Sequence, residues 1–225
     1  MKNMGLRSLC LVEPPEGLQD REARALAYGA WDVLDGARVA TCLLDAVSAS
    51  VAVVGTTGRA SPGAWTPRRL AAEAERLARG GTLSLVFGPE ATGLTGAEMD
   101  LCHALVHAPT DPAHKSLNLA QSVLLLAYEM RLAALAGAAG PDPGGEGGRE
   151  ERAPAGDVEQ AVRELRAALL EIGYLDPENP DRVLAELRRL IARAGPTPRE
   201  VVLLRGLARQ VAWAGRVARD RAGAG

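Results

Sequence analysis

The 225-residue sequence is poor in aromatic side chains: one Phe, three Trp and three Tyr are too few for a stacking platform that would hold single-stranded nucleic acid. Its core therefore has to be built from Ala, Leu and Val. Net charge is nearly absent as well. Against 26 basic residues stand 28 acidic ones, and a pI near 6.0 excludes capture of nucleic acid by a chain-wide positive field. The three cysteines, Cys10, Cys42 and Cys102, lie far apart with no C-x-x-C among them. That spacing excludes a disulfide framework and predicts reduced core thiols in a cytoplasmic protein. Long apolar runs are missing too. The richest stretch, 117–136, is interrupted by Asn118, Gln121, Glu129 and Arg131, so it is expected to be a buried helix and not a membrane span. The opening MKNMGLRS has no signal-peptide core, and no membrane partner is expected.

Glycine and proline, by contrast, are concentrated. Residues 137–156, GAAGPDPGGEGGREERAPAG, contain seven Gly and three Pro without apolar periodicity and read as a flexible linker. Before it, continuous apolar runs at 8–12, 51–55, 83–88 and 104–108 read as strands buried on both faces. Amphipathic stretches at 20–30, 42–50, 66–79, 96–102 and 118–136 alternate with them. Thr66-Pro67 and Thr95-x-x-Glu98 carry helix-start chemistry. This alternation predicts an α/β domain with a parallel sheet over 1–136. After the linker the pattern is purely helical, at about 157–173, 181–194 and 198–222, giving a three-helix extension over 157–225.

The two parts differ in charge. Residues 1–155 hold 14 basic and 18 acidic side chains, whereas Arg182 to Arg221 contains ten Arg and three acidic residues. The basic stretch is either a solvated helical face or a phosphate-contacting surface, for which guanidinium groups are well shaped. Arg188, Arg189 and Arg193 are its RNA-binding candidates.

Three segments have the composition of ligand loops. VVGTTGR (53–59) ends a strand in hydroxyls, glycine and Arg59. LVFGPEATGLTGAEM (85–99) brackets a strand-to-helix turn with Gly88 and Gly93. HAPTDPAHKSLNLAQSVLLLAYEM (107–130) places Ser116 and Asn118 just ahead of a long helix, as caps or as ligand contacts. In a parallel sheet all three loops fall at one carboxyl edge, where open α/β folds bind ligands. Neither a G-x-G-x-x-G nor a P-loop is present. His103, His107 and His114 fall within twelve residues. The first would end a helix and the second a strand, so they share no helix face, and no metal is expected.

The last two of these segments, with the tail IGYLDPENPDRVLAELRRLIARAGPTPREVVLLRGLARQV, resemble the SPOUT RNA methyltransferases of the TrmH/TrmJ branch, most closely the TrmJ type. The resemblance covers nearly the whole chain apart from the linker. It implies a C-terminal trefoil knot in the α/β domain, S-adenosylmethionine as cofactor, a homodimer, and 2'-O-methylation of tRNA at the first nucleotide (C or U) of the anticodon loop. Carried over by position, it implies a cofactor pocket of Thr56, Thr57, Gly58, Gly88, Ala108, Lys115, Ser116 and Leu117. Glu90, Ser116 and Asn118 match the family's catalytic-region residues. The family opens with a strand and an N-x-G-x-x-x-R-A-M-K segment. MKNMGLRSL matches the residues immediately after that arginine, so the first strand and the arginine are expected to be missing. An RNA- or donor-binding relic without catalysis, and an unrelated α/β enzyme, stay open as alternatives.

Overall fold

A computed structural model describes residues 1–15, 21–60, 62–113, 117–139 and 151–223. After a single turn at Lys2–Met4, strand β1 (Cys10–Val12) pairs in parallel with β2 (Arg38–Ala40); the short helices α1 (Arg21–Leu26) and α2 (Trp31–Asp35) lie between them in sequence. Helix α3 (Leu43–Val47) leads into β3 (Ser50–Thr56). Then follow α4 (Pro67–Leu77), β4 (Thr82–Val86), α5 (Gly96–Asp100), β5 (Ala104–Val106) and α6 (Leu119–Ala139). The second sheet has the order β4-β3-β5, all parallel.

The alternation of side chains along β3 divides the core. Ala52 and Val54 pack with Leu70, Leu77, Val106 and Leu126 beneath α4 and α6, while Val53 turns the other way to Leu43, Val47, Val86 and Cys102. All of β3 except its last residue is buried, which is why its sequence is an unbroken apolar run. Gly55 is required on the Cys102 side: a Cβ there would come within 2.7 Å of the Cys102 Sγ. The start signals read from sequence operate. Thr66 Oγ1 accepts from Arg69 N, and Thr95 with Glu98 closes a full capping box.

The tail consists of α7 (Ala155–Glu171), α8 (Asp181–Ala194) and α9 (Pro198–Gly223). Val162, Leu184 and Ile191 join α7 to α8; Ala153, Ala161 and Val201 join α7 and its lead-in to α9. The tail is docked on the body. Gly156 N donates to Ser48 O at 2.9 Å, and Ala155 packs against the Leu43–Val47 cluster.

Several expectations need correction. The 137–156 stretch is helical at both ends, since α6 runs to Ala139 and α7 starts at Ala155; residues 140–150 lie outside the described residues. Cys42 is not a core thiol. It is exposed and caps α3, its Sγ accepting from Asp45 N at 3.5 Å. Helix α6 is not buried either: over Leu119–Gly137 only about a tenth is covered, and by length and composition this helix could span a membrane. The knot implied by resemblance depends on the continuous path from β5 to α6, of which residues 114–116 lie outside the described residues.

Candidate active site

The three loops at the carboxyl edge are tied to one another pairwise. Thr56 Oγ1 donates to Val86 O at 3.1 Å, joining the ends of β3 and β4. Thr57 N donates to Val106 O at 2.9 Å, and Thr57 O lies 3.1 Å from His107 Nδ1, joining β3 to β5. A carbonyl oxygen only accepts, so Nδ1 carries the proton in this contact.

The third tie spans 28 residues of sequence. Glu90, in the β4–α5 loop, accepts from Asn118 Nδ2 at 2.9 Å and from Leu119 N at 3.2 Å. Asn118 Oδ1 in turn accepts from Ala120 N at 2.8 Å, and Gln121 Oε1 accepts from Asn118 N at 3.2 Å. Asn118 is thus the N-cap of α6, and the Glu90 carboxylate sits over the helix's amino end. There it satisfies an orphan backbone donor and meets the positive end of the helix dipole. Both of the Glu90 bonds fall on Oε1, and they tie the β4–α5 loop to the start of α6.

Between the tied loops lies a cleft of about 430 Å³. Thr56, Thr57, Gly58, Arg59, Gly88, Glu90, Ala108 and Leu117 line it, so the structure gathers these sequence-derived candidates in one place. Lys115 and Ser116 lie outside the described residues. Reading of the sequence missed Met99, His107, and Leu119, Ser122 and Leu126 on α6 as lining residues. The 119–122–126 spacing is one helix face, and that signal was available in the sequence.

Gly88 has an internal reason for being glycine. A Cβ there would overlap the carbonyl carbon of Gly93 and the amide nitrogen of Leu94. The loop is folded tightly on itself, with Gly93 at φ +67° and its N–H donating to Pro89 O at 2.7 Å. At Gly58 a Cβ would meet nothing within 4 Å, so this backbone faces open space.

The histidines do not converge. His103 Nδ1 accepts from Val53 N at 3.0 Å beside the tail, away from the cleft; His114 lies outside the described residues. Among the described residues no His, Cys, Asp or Glu group is arranged to hold a metal ion. Burial, reinforced by the charge of Arg152, pushes His103 from 6.5 down to about 4. Below pH 6.5 the unfolded chain therefore binds a proton that the native chain refuses until about pH 4. The stability tied to keeping His103 neutral, about 3 kcal/mol, is lost as pH falls through that window. His103→Asn keeps an acceptor for Val53 N–H and removes the titration. Its denaturant-derived stability is expected to fall less steeply between pH 6.5 and 4 than that of the parent chain; equal slopes would count against this assignment.

The three tail arginines have separate environments. Arg188 binds Glu159 through Nε at 3.1 Å and a second nitrogen at 2.8 Å. Arg189 Nε donates to Ala185 O at 3.1 Å and lies 3.6 Å from Asp100 of α5. Arg193 is exposed, with no ion pair among the described residues.

Residues 1–128 match the model of the SpoU rRNA Methylase family, and residues 156–222 match that of the tRNA methyltransferase TrmJ C-terminal domain. The chain is 40% identical over 216 residues to the tRNA (cytidine/uridine/adenosine-2'-O-)-methyltransferase TrmJ of Pseudomonas aeruginosa, covering 92% of this chain and 84% of that protein. It is 38% identical over 215 residues to the tRNA (cytidine/uridine-2'-O-)-methyltransferase TrmJ of Cronobacter sakazakii, covering 92% and 85%. Among solved structures, TrmJ from Z. mobilis superposes with a TM-score of 0.78 at 31% identity, over 94% of this chain and 89% of the other.

Proposed function

The chain belongs to the SpoU rRNA methylase family, in its TrmJ branch, and we propose that it transfers a methyl group from S-adenosylmethionine to a ribose 2'-hydroxyl of tRNA, at the first nucleotide (C or U) of the anticodon loop. The observation that carries the reading is the pairwise tying of three strand-end loops around one cleft in a chain of this family.

The residues present suit the donor. The cleft's volume is within the roughly 300–1,000 Å³ of small-molecule sites. Phe87, Leu94, Met99 and Leu126 supply apolar wall, Thr56, Thr57 and Thr110 supply hydroxyls, and Gly58 leaves backbone open to close approach. When bound, S-adenosylmethionine supplies a methyl group activated on a sulfonium sulfur. The chain's part is positioning. Glu90 and Asn118 fix the start of α6 against the β4–α5 loop, the Thr57–His107 contact fixes the opposite wall, and Arg59 at the rim is placed to meet an RNA phosphate. Holding acceptor oxygen and methyl group in line can contribute several kcal/mol to the rate. Glu90, Asn118 and, by resemblance, Ser116 form the catalytic region. Thr56, Thr57, Gly58, Gly88, Ala108 and Leu117 form the donor pocket, to which the family resemblance alone adds Lys115 and Ser116. Incubation of the 225-residue chain with tritiated-methyl donor and undermodified tRNA tests the reading. Label in tRNA supports it; saturable donor binding in calorimetry without label would favour the silent-relic alternative.

The active form is a homodimer. Leu124, Tyr128, Leu132 and Leu135 follow one face of α6 and are 43–53% exposed, an apolar stripe on a helix about 30 Å long. A second copy covers it. Light scattering is expected to show a dimer for the parent chain and a monomer for the double variant Leu124→Glu, Leu132→Glu; a monomeric parent would overturn the assignment.

A further inference from the structure

We infer that the Asp100–Arg189 pair is a positioning device through which the helical tail holds one wall of the donor cleft, so that tail docking and donor binding are coupled. The inference rests on the cleft being the donor site.

Helix α5 has only five residues. Helices shorter than about 12–15 residues do not hold themselves in water, so what surrounds α5 decides where it sits. Its capping box closes the amino end: Thr95 N donates to Glu98 Oε2 at 2.7 Å and Glu98 N to Thr95 Oγ1 at 3.3 Å. Beneath it Cys102 Sγ donates to Glu98 O at 3.3 Å, with Cys102 itself seated against Gly55. The carboxyl end is held by the tail. Asp100 lies 3.6 Å from Arg189 Nε, and the Arg189 side chain is steered by its own bond to Ala185 O.

The two sides of this short element face different things. Leu94 and Met99 line the donor cleft. Asp100 and Leu101 line a small cavity against Glu159, Arg188 and Ala192 of the tail. Adjacent residues, Met99 and Asp100, thus report to the cleft and to the tail, and a turn and a half of helix offers no slack between them. Leu94 and Leu101 also share a core cluster with Ala155 of α7. Whatever loosens the tail's grip on Asp100 loosens the Met99 wall, and linkage makes the effect mutual: donor binding tightens the tail on the body.

The test uses the full chain. Donor affinity is measured by calorimetry, and KM and kcat by methyl transfer, for the parent, Asp100→Asn, Arg189→Gln, Arg189→Lys and the charge swap Asp100→Lys with Arg189→Glu. Asp100→Asn and Arg189→Gln are expected to weaken donor binding and raise donor KM about threefold to fivefold, with a smaller change in kcat. Arg189→Lys and the swap should recover most of the loss. Hydrogen exchange gives a readout free of the donor: the amides of residues 96–102 should exchange faster in Arg189→Gln than in the parent. Unchanged donor affinity together with unchanged exchange overturns the coupling. A parent chain that binds no donor overturns the donor reading instead, and the exchange of residues 96–102 then decides the structural half of the inference by itself.

Discussion

Replacing Gly88 with alanine is expected to abolish measurable donor binding and to lower methyl transfer by at least about 100-fold, because displacement of a positioning wall by even 1 Å has effects of that order. The added methyl would overlap the Gly93 carbonyl carbon and the Leu94 nitrogen, and the Gly93 oxygen would be 2.7 Å away. All three are backbone atoms. No rotamer change relieves the clash, so the turn from Gly88 to Leu94 has to open, carrying with it the Glu90 carboxylate that holds Asn118 and Leu119. The cost to the fold is smaller, about 1–3 kcal/mol, since the loop is at the sheet's edge and not in its core. Calorimetry beside thermal unfolding separates the two effects. A Gly88→Ala chain that binds donor normally would show that this loop is not a wall of the donor site.

The second large effect falls in the tail. Arg188→Ala is expected to destabilise the chain by about 2–4 kcal/mol, because it leaves the Glu159 carboxylate, whose side chain is only 11% exposed, without its counter-charge. Arg188 itself is 23% exposed and makes two bonds to that carboxylate, which fixes α8 on α7. Its role is in packing, whereas its neighbour Arg193 is exposed to solvent. Arg193→Ala should leave the unfolding midpoint unchanged. It should also reduce the salt dependence of tRNA binding by a slope of about 0.7–0.9, one phosphate contact. Equal stability for the two variants would contradict the distinction between them.

Much of the architecture was legible because it depends on local chemistry. Thr66-Pro67 and Thr95-x-x-Glu98 mark the starts of α4 and α5, and the caps form. The unbroken apolar run of β3 announced a strand covered on both faces. What escaped has physical reasons. Strand β2 is three residues long, with Val39 exposed, and carries no periodicity to detect. The stripe on α6 reads like core because composition does not say whether an apolar side chain is packed within its own chain or left exposed on it. The Arg182–Arg221 stretch reads as one basic surface until its partners are known. Glu159 and Asp100 are far from Arg188 and Arg189 in sequence, and only tertiary packing brings them together.

The same holds for the candidate site. Thr57, Gly88 and Asn118 could be selected from their loops, but the tie between Glu90 and the first turn of α6 crosses 28 residues and is invisible without the fold. That tie is what fixes the β4–α5 loop against the amino end of α6.

Mass spectrometry of nuclease fragments, taken after the full chain has acted on undermodified tRNA with S-adenosylmethionine, decides whether this cleft methylates ribose. One added methyl is expected on a ribose at the first nucleotide of the anticodon loop, and it should be lost in Gly88→Ala. Methyl found on a base, or no methyl on tRNA while the donor saturates the cleft, would refute the assignment.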